Sequence, residues 1–340
     1  MSPATSFVVH STLGNAKAYH RVSGCWSSAW VSGTPRARHS ARWPRPRGRI
    51  GHRLSVPLRL QSNEARSPLV DLRGKQALVT GIANQRSIAF GVAQALKQAG
   101  AEIGVAYLPI NERAESKIAK LVEPLSPTLM VPCDVQSRAN MEALFDTMRQ
   151  KWGGLDILVH CLAFADRGDL EGDFSKTSRD GFHLALGVST YSLIEMCGLA
   201  KPLFRKNGSV VTLTYLGAER VVPNYNVMGV AKAGLECSVR YLASELGPQL
   251  GVRVNGVSAG PIRTLASSAI GGITTMIRNV EMNAPLRRTV TQEEVGKTAA
   301  FLLSEAASGI TGQVLYVDSG YAIMGSPVFG DGAPGGGAGG

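Results

Sequence analysis

From residue 76 to residue 165 the chain alternates short apolar runs with stretches of helical spacing. Q-A-L-V-T-G-I-A at 76–83 reads as a buried strand that breaks at a glycine. S-I-A-F-G-V-A-Q-A-L-K-Q-A-G follows with its apolar residues three and four apart, the period of a helix. A-E-I-G-V-A-Y is a second strand, followed by a charged helix from about Asn111. T-L-M-V-P-C-D-V is a third strand, M-E-A-L-F-D-T-M-R-Q-K-W a helix, and L-D-I-L-V-H-C-L-A-F-A a fourth strand. Helices between successive strands predict parallel pairing, because a parallel neighbour is reached only through a crossover. The expected fold class is therefore α/β, a doubly wound parallel sheet covered by helices on both faces. Such a sheet places its ligand crevice outside the carboxyl ends of the strands.

The second half continues the pattern. Ser209-Val210-Val211-Thr212-Leu213-Thr214 reads as a buried strand, and a long helical stretch begins near Tyr225. V-R-V-N-G-V-S-A-G-P-I-R-T is another strand running into a loop, and T-G-Q-V-L-Y-V-D-S-G-Y closes the sheet. The whole predicts one Rossmann-type domain over residues 67–326, with a leader at 1–66 and a Gly-rich tail at 327–340. The end, G-D-G-A-P-G-G-G-A-G-G, cannot bury a core and is expected to be disordered.

Charge separates the leader from the body. The net charge is +11, yet residues 1–63 hold ten Lys or Arg and no acid. From Glu64 onward 26 basic residues face 25 acidic ones. The body therefore gives no support for nucleic-acid binding. The leader is rich in Arg and Ser and lacks a long apolar run, which excludes a secretory core or a membrane span there. It fits a transit peptide, with the plastid stroma expected and the mitochondrion second; a basic tail for acidic surfaces is the other reading. Five scattered cysteines, with no C-x-x-C, point to a reducing compartment and to no metal site.

The first strand-to-helix turn does not spell G-x-G-x-x-G; it runs Gly81, five residues, then Ser87-Ile88-Ala89-Phe90-Gly91. Gly81 permits a tight turn, Ser87 can cap the helix and offer a hydroxyl to phosphate, and the helix amino end favours a pyrophosphate. Gly91 is expected to let that helix approach the sheet. Asp134, directly after the third strand, can accept from an adenine amino group or cap the next helix. The second strand ends Tyr107-Leu108-Pro109 without a ribose-binding acid, and Arg113 nearby can meet a 2′-phosphate or be a surface charge. His160 and Cys161 are neighbours on a strand, so they face opposite ways and read as packing. Gly260-Pro261-Ile262-Arg263-Thr264 would present backbone groups and a hydroxyl near a nicotinamide. The apolar L-A-S-S-A-I-G-G-I-T-T-M-I-R after it suits a lid over an apolar substrate or an ordinary helix.

Tyr215, Tyr225 and Lys232 are the candidate catalytic residues. Seven residues are nearly two helical turns, so Tyr225 and Lys232 share a face about 10 Å apart along the axis. A phenol there can donate to a developing oxyanion. An ammonium can hold a cofactor sugar and keep the phenol acidic by its charge.

With these residues collected, the chain resembles the short-chain dehydrogenase/reductase superfamily. Within it the chain is most similar to the enoyl-[acyl-carrier-protein] reductases of type II fatty-acid synthesis, in the cyanobacterial and plastid branch. The resemblance spans residues 68–325 and rests on G-I-A-N-Q-R-S-I-A-F-G, P-C-D-V, H-C-L-A-F-A, T-Y-L-G-A-E-R-V-V-P-N-Y-N-V-M-G-V-A-K and S-A-G-P-I-R-T-L-A. Ordinary superfamily members space Tyr and Lys by four, and here Met228 stands four before Lys232. The resemblance implies that Tyr225 bonds the thioester carbonyl, Lys232 holds the nicotinamide ribose and Tyr215 assists. It implies that Gly81, Ser87, Ile88, Asp134, Val135 and Leu162 hold the dinucleotide. Ile262, Arg263, Thr264, Leu265 and Ala266 would surround the nicotinamide end, and Ala165 would touch the acyl chain. The cofactor implied is NADH, with NADPH possible; the partner is acyl carrier protein, and the assembly a homotetramer. Gly187 stands where relatives often carry Asp, and the lid lacks the basic residues of some bacterial relatives.

Two rivals remain at the level of sequence. A ketoacyl or carbonyl reductase needs a Ser about a dozen residues before Tyr and the shorter Tyr-Lys spacing; Thr212 and Met228 stand in those places. A catalytically silent dinucleotide sensor would bind cofactor without turnover.

Overall fold

The computed structural model describes residues 68–264, 267 and 270–325. The expectations for the leader and tail, and for Leu265 and Ala266, lie outside the described residues. Seven strands form one sheet: β1 (Gln76–Thr80), β2 (Glu102–Tyr107), β3 (Leu129–Pro132), β4 (Leu155–His160), β5 (Phe204–Thr214), β6 (Arg253–Ala259) and β7 (Val314–Val317). Their order is β3-β2-β1-β4-β5-β6-β7, and every pairing is parallel. The expected doubly wound α/β sheet is what forms. The chain reverses its direction of travel across the sheet between β1 and β4, where a ligand crevice opens at the strand ends.

Eight α-helices accompany the strands among the described residues: α1 (Ile88–Gln98), α2 (Glu112–Val122), α3 (Arg138–Trp152), α4 (Arg179–Leu186), α5 (Ser192–Ala200), α6 (Asn226–Leu250), α7 (Ile273–Asn283) and α8 (Gln292–Leu303). Two hydrophobic layers sandwich the sheet. One packs α1 and α8 on Val79, Val105, Val159 and Val257; the other packs α3, α5 and α6 on Leu78, Leu158, Val210 and Val254. Alternate residues of each strand thus serve opposite layers.

Gly91 does not face the sheet as the sequence suggested. A Cβ there would meet the Gln292 carbonyl oxygen at 2.8 Å, and one at Gly296 would meet the Gly91 oxygen at 2.5 Å. The two glycines let α1 and α8 touch backbone to backbone. The stretch Arg179–Ala200, which joins α4 to α5, is long and apolar enough to cross a membrane by length and composition, but nearly half of it is buried inside the protein. Between its two helices, Gly187–Tyr191 takes a π-helical turn.

Candidate active site

β5 ends at Thr214, and the next residues build the site. Tyr215 continues extended, Leu216–Ala218 makes a short 3₁₀ turn, and Asn224 takes a left-handed conformation at φ 59°. Tyr225 then occupies the N-cap of α6, one residue ahead of its expected place inside the helix. Two glycines allow this loop to fold onto the helix start. A Cβ at Gly217 would strike the Tyr225 ring at 2.4 Å, and one at Gly229 would meet the Gly217 oxygen at 2.9 Å.

The two tyrosines meet edge to face, with ring centroids 5.1 Å apart and planes at 70°. Tyr225 is 7% exposed and packs with Leu170, Ala185, Val227, Met228 and Ala231, with Ala165 and Tyr215 against that cluster. The Tyr215 hydroxyl donates to the Met276 sulfur at 3.1 Å, which docks α7 over the site. Asn224 donates to the Gly271 carbonyl at 2.9 Å from the other side. Lys232 is 5% exposed, and its Nζ donates to the Leu213 carbonyl of β5 at 2.7 Å.

Burial decides the acidities here. It pushes the Tyr225 phenol well above the ordinary tyrosine range, with smaller additions from Tyr215 and Glu236. The phenol is raised rather than lowered, so the expectation of a phenol kept acidic by the Lys232 charge is not met. Tyr225 is a neutral donor. Burial also raises Tyr215 to about 12, helped by Tyr321 and Asp318. Burial brings Lys232 down to about 8, opposed by Cys161 and Glu236.

The cofactor candidates line the same end of the sheet. Gly81, at φ +85°, follows β1, and a Cβ there would overlap the Cys161 carbonyl oxygen at 2.0 Å. Only glycine lets the β1 and β4 ends close on each other in this way. Ser87 stands at the α1 N-cap, but its hydroxyl donates to the Asn84 carbonyl at 2.6 Å rather than capping the helix. The amides of that first turn, Ile88 included, have no side-chain acceptor and remain suited to an anion. Asp134 does not cap α3; Ser137 does. Asp134 instead accepts from the Gln136 amide at 3.0 Å, which turns its carboxylate at the β3 end. Val135 and Leu162 pack at the edge of the second layer. Beyond β6, Ser267 braces the loop, donating to the Ile262 carbonyl at 2.8 Å and accepting from the Thr264 amide at 2.8 Å. Arg263 is exposed.

His160 and Cys161 do point apart. His160 is fully buried between Thr212 at 2.9 Å and Ser192 at 2.8 Å. Ser192 donates its own proton to the Val188 carbonyl, so the imidazole Nε2 donates to Ser192 and Nδ1 accepts from Thr212. Burial, with the Lys232 charge, holds the imidazole neutral, down to about 3. Cys161 is raised by burial to about 12 and is no nucleophile.

Against known proteins, residues 81–322 match the family model described as enoyl-(acyl carrier protein) reductase. The chain belongs to this family. It is similar to the NADH-dependent enoyl-[acyl-carrier-protein] reductase of Nostoc sp., 66% identical over 259 residues, which cover 76% of this chain and all of that one. The corresponding Synechocystis sp. reductase is 62% identical over 258 residues, again over its full length. Among solved structures, the Bacillus cereus reductase with NADP⁺ and an indole naphthyridinone aligns at TM-score 0.73 and 50% identity, covering 75% of this chain and all of that one. The Anaplasma phagocytophilum reductase with NAD aligns at 0.72 and 42%, covering 76% of this chain and 97% of that one.

Several site residues escaped the sequence reading. Gly217 and Gly229 look like any loop and helix glycines until the ring of Tyr225 is placed. Ser189 and Thr190, on the π-helical turn, hold the Phe164 backbone at 3.0 Å and the Ala231 carbonyl at 2.6 Å. Their role depends on the wide turn, which carries no simple sequence signal. Glu236, one turn past Lys232, escaped as well, and its i,i+4 spacing from Lys232 is the signal that could have found it.

Proposed function

We propose that the protein reduces the trans-2 double bond of enoyl-[acyl-carrier-protein] thioesters with NADH. The observation that carries this reading is the seven-residue Tyr225–Lys232 spacing at the end of β5, with Tyr215 in edge contact. That spacing removes the shorter arrangement a ketoacyl reductase needs. Relatives matched over their whole length bear the name of NADH-dependent enoyl-[acyl-carrier-protein] reductase, and one neighbour was solved with NAD. NADPH remains the second cofactor, since another neighbour was solved with NADP⁺.

The residues fit a dinucleotide. Gly81 brings two strand ends together where a Cβ would collide, and the first turn of α1 offers amides without side-chain acceptors. Gly81, Ser87, Ile88, Asp134, Val135 and Leu162 would hold the dinucleotide, Asp134 at its adenine, with Ile262 through Ala266 around the nicotinamide end and Lys232 on the ribose. When bound, the reduced nicotinamide supplies a hydride to C3 of the enoyl thioester. Negative charge then gathers on the thioester oxygen as an enolate. The Tyr225 hydroxyl, neutral because it is buried, donates to that oxygen, and Tyr215 fixes the Tyr225 ring from its edge. Ala165, against the same cluster, would touch the acyl chain. C2 is afterwards protonated.

The assembly is proposed as a homotetramer. Exposed Tyr191, Ile194, Val230 and Tyr241 on the α4–α5 stretch and α6, and Leu315 on the edge strand β7, support this. The Arg-rich, acid-free leader supports import into a plastid.

The test follows nicotinamide absorbance with crotonyl and acetoacetyl thioesters offered separately, first with NADH and then NADPH. Oxidation with the crotonyl thioester alone is expected. Turnover of the acetoacetyl thioester would favour the ketoacyl reductase, and NADH binding without turnover the silent sensor.

A further inference from the structure

Glu236 is a buried acid for which the reaction above has no use. It is 7% exposed and sits on α6 one turn after Lys232. The Thr214 hydroxyl donates to its Oε1 at 2.6 Å, while Lys232 donates to the Leu213 carbonyl at 2.7 Å. Leu213 and Thr214 are consecutive residues at the end of β5. A lysine and a glutamate one helical turn apart are thus pinned to two adjacent residues of one strand, on the helix that Tyr225 begins.

The charged surroundings of Glu236 come from each element around it. Lys232 and Arg240 share its helix, Glu219 lies in the segment after β5, and Tyr316 belongs to β7. Tyr225 at the head of α6 also feels its charge. Lys232 in turn feels Cys161 at the end of β4. Glu219, Tyr316 and Asp318 line a cavity of about 450 Å³ beside β7, which brings solvent to this flank.

We propose that Glu236 is a positioning residue: its carboxylate, held by Thr214, keeps Lys232 charged and directed at the end of β5, so that the lysine can grip the cofactor ribose. This rests on the reading of Lys232 given above. Two buried groups of opposite charge stabilise each other's ionised forms, whereas either one alone is driven towards neutrality. Burial lowers Lys232 to about 8, and Glu236 is one of two groups opposing that fall. Burial raises Glu236, and the Thr214 hydroxyl is the first influence acting the other way. Removing the carboxylate therefore lets Lys232 lose its proton at lower pH, and weakening it through Thr214 does the same to a smaller degree.

The experiment measures kcat/KM for NADH with an enoyl thioester from about pH 6 to about pH 9, a profile that reports groups of the free enzyme. For Glu236→Gln the expected loss is at least about fivefold at pH 8, with activity at pH 6 within about twofold of wild type, because the alkaline limb moves to lower pH. Thr214→Val moves the limb the same way by less, and Glu236→Asp restores it. A Glu236→Gln profile that parallels wild type, whether lowered equally everywhere or not lowered at all, overturns the proposal; if that variant does not fold, an unshifted Thr214→Val limb does the same. A direct NADH titration of Lys232→Met separates the two readings. Weak binding there with an unshifted Glu236→Gln limb refutes only the role of Glu236, whereas unchanged binding refutes the ribose role of Lys232 and the proposal with it.

Discussion

Tyr225 caps the start of α6 and Lys232 lies seven residues along it, both nearly closed off from solvent. The sequence suggests a phenol made acidic by a nearby ammonium. The fold instead buries the phenol under Leu170, Ala185 and Met228 and holds Lys232 on the Leu213 carbonyl. Solvent exclusion outweighs the distant charge, and no spacing rule reports exclusion. Lys232 shows the same conflict between function and stability. Its folded pKa of about 8 lies below the ordinary lysine value of 10.5. Between these values the unfolded chain binds more protons, so stability rises as pH rises through that window, and below pH 8 the buried charge withholds roughly 3 kcal/mol. Lys232→Met removes that penalty but leaves the Leu213 carbonyl and the Glu236 carboxylate without the ammonium, so the melting temperature of the cofactor-free protein is expected to stay within a few degrees of wild type at neutral pH while NADH binding weakens. Calorimetry and an NADH titration of the same sample check both outcomes.

The strands and helices themselves followed from the apolar period. α1, α2 and β6 fall where it placed them, because alternation of two and of 3.6 residues survives any tertiary arrangement. What the period cannot carry is close approach. Gly91, expected to serve the sheet, serves α8 instead, and nothing in the sequence around Gly229 signals that a loop lies against it. Gly229→Ala is expected to push the loop before Tyr225 outward, lowering kcat by at least about tenfold while NADH binding holds, since a misplaced catalytic group costs that much or more. Steady-state kinetics beside a binding titration tests this. The junction of β4, β5 and α5 gives a second expectation. His160 is neutral and refuses a proton until about pH 3, whereas unfolded histidine accepts one near its ordinary 6.5. Stability therefore falls as pH drops below that ordinary value, by about 2 kcal/mol at pH 5. Urea unfolding at pH 7 and pH 5 should show this loss, and His160→Asn should remove most of it.

Across the whole molecule, the near balance of charge after Glu64 and the exposed apolar side chains on α6 and β7 agree with an assembly of like chains. Light scattering is expected to give four times the chain mass, and Tyr241→Glu, on the exposed face of α6, to reduce it; a monomer in the wild type contradicts the tetramer. A chain begun at residue 67 is expected to keep the full kcat, because relatives matched over their entire length correspond to about three quarters of this one. The central claim concerns a single hydroxyl. Tyr225→Phe deletes it and leaves the ring that packs against Tyr215. Measured with an enoyl thioester at saturating NADH, kcat is expected to fall by about 10²–10³-fold, the loss of one oxyanion donor, while the dissociation constant for NADH stays within about twofold. Turnover near that of the wild type would contradict the account.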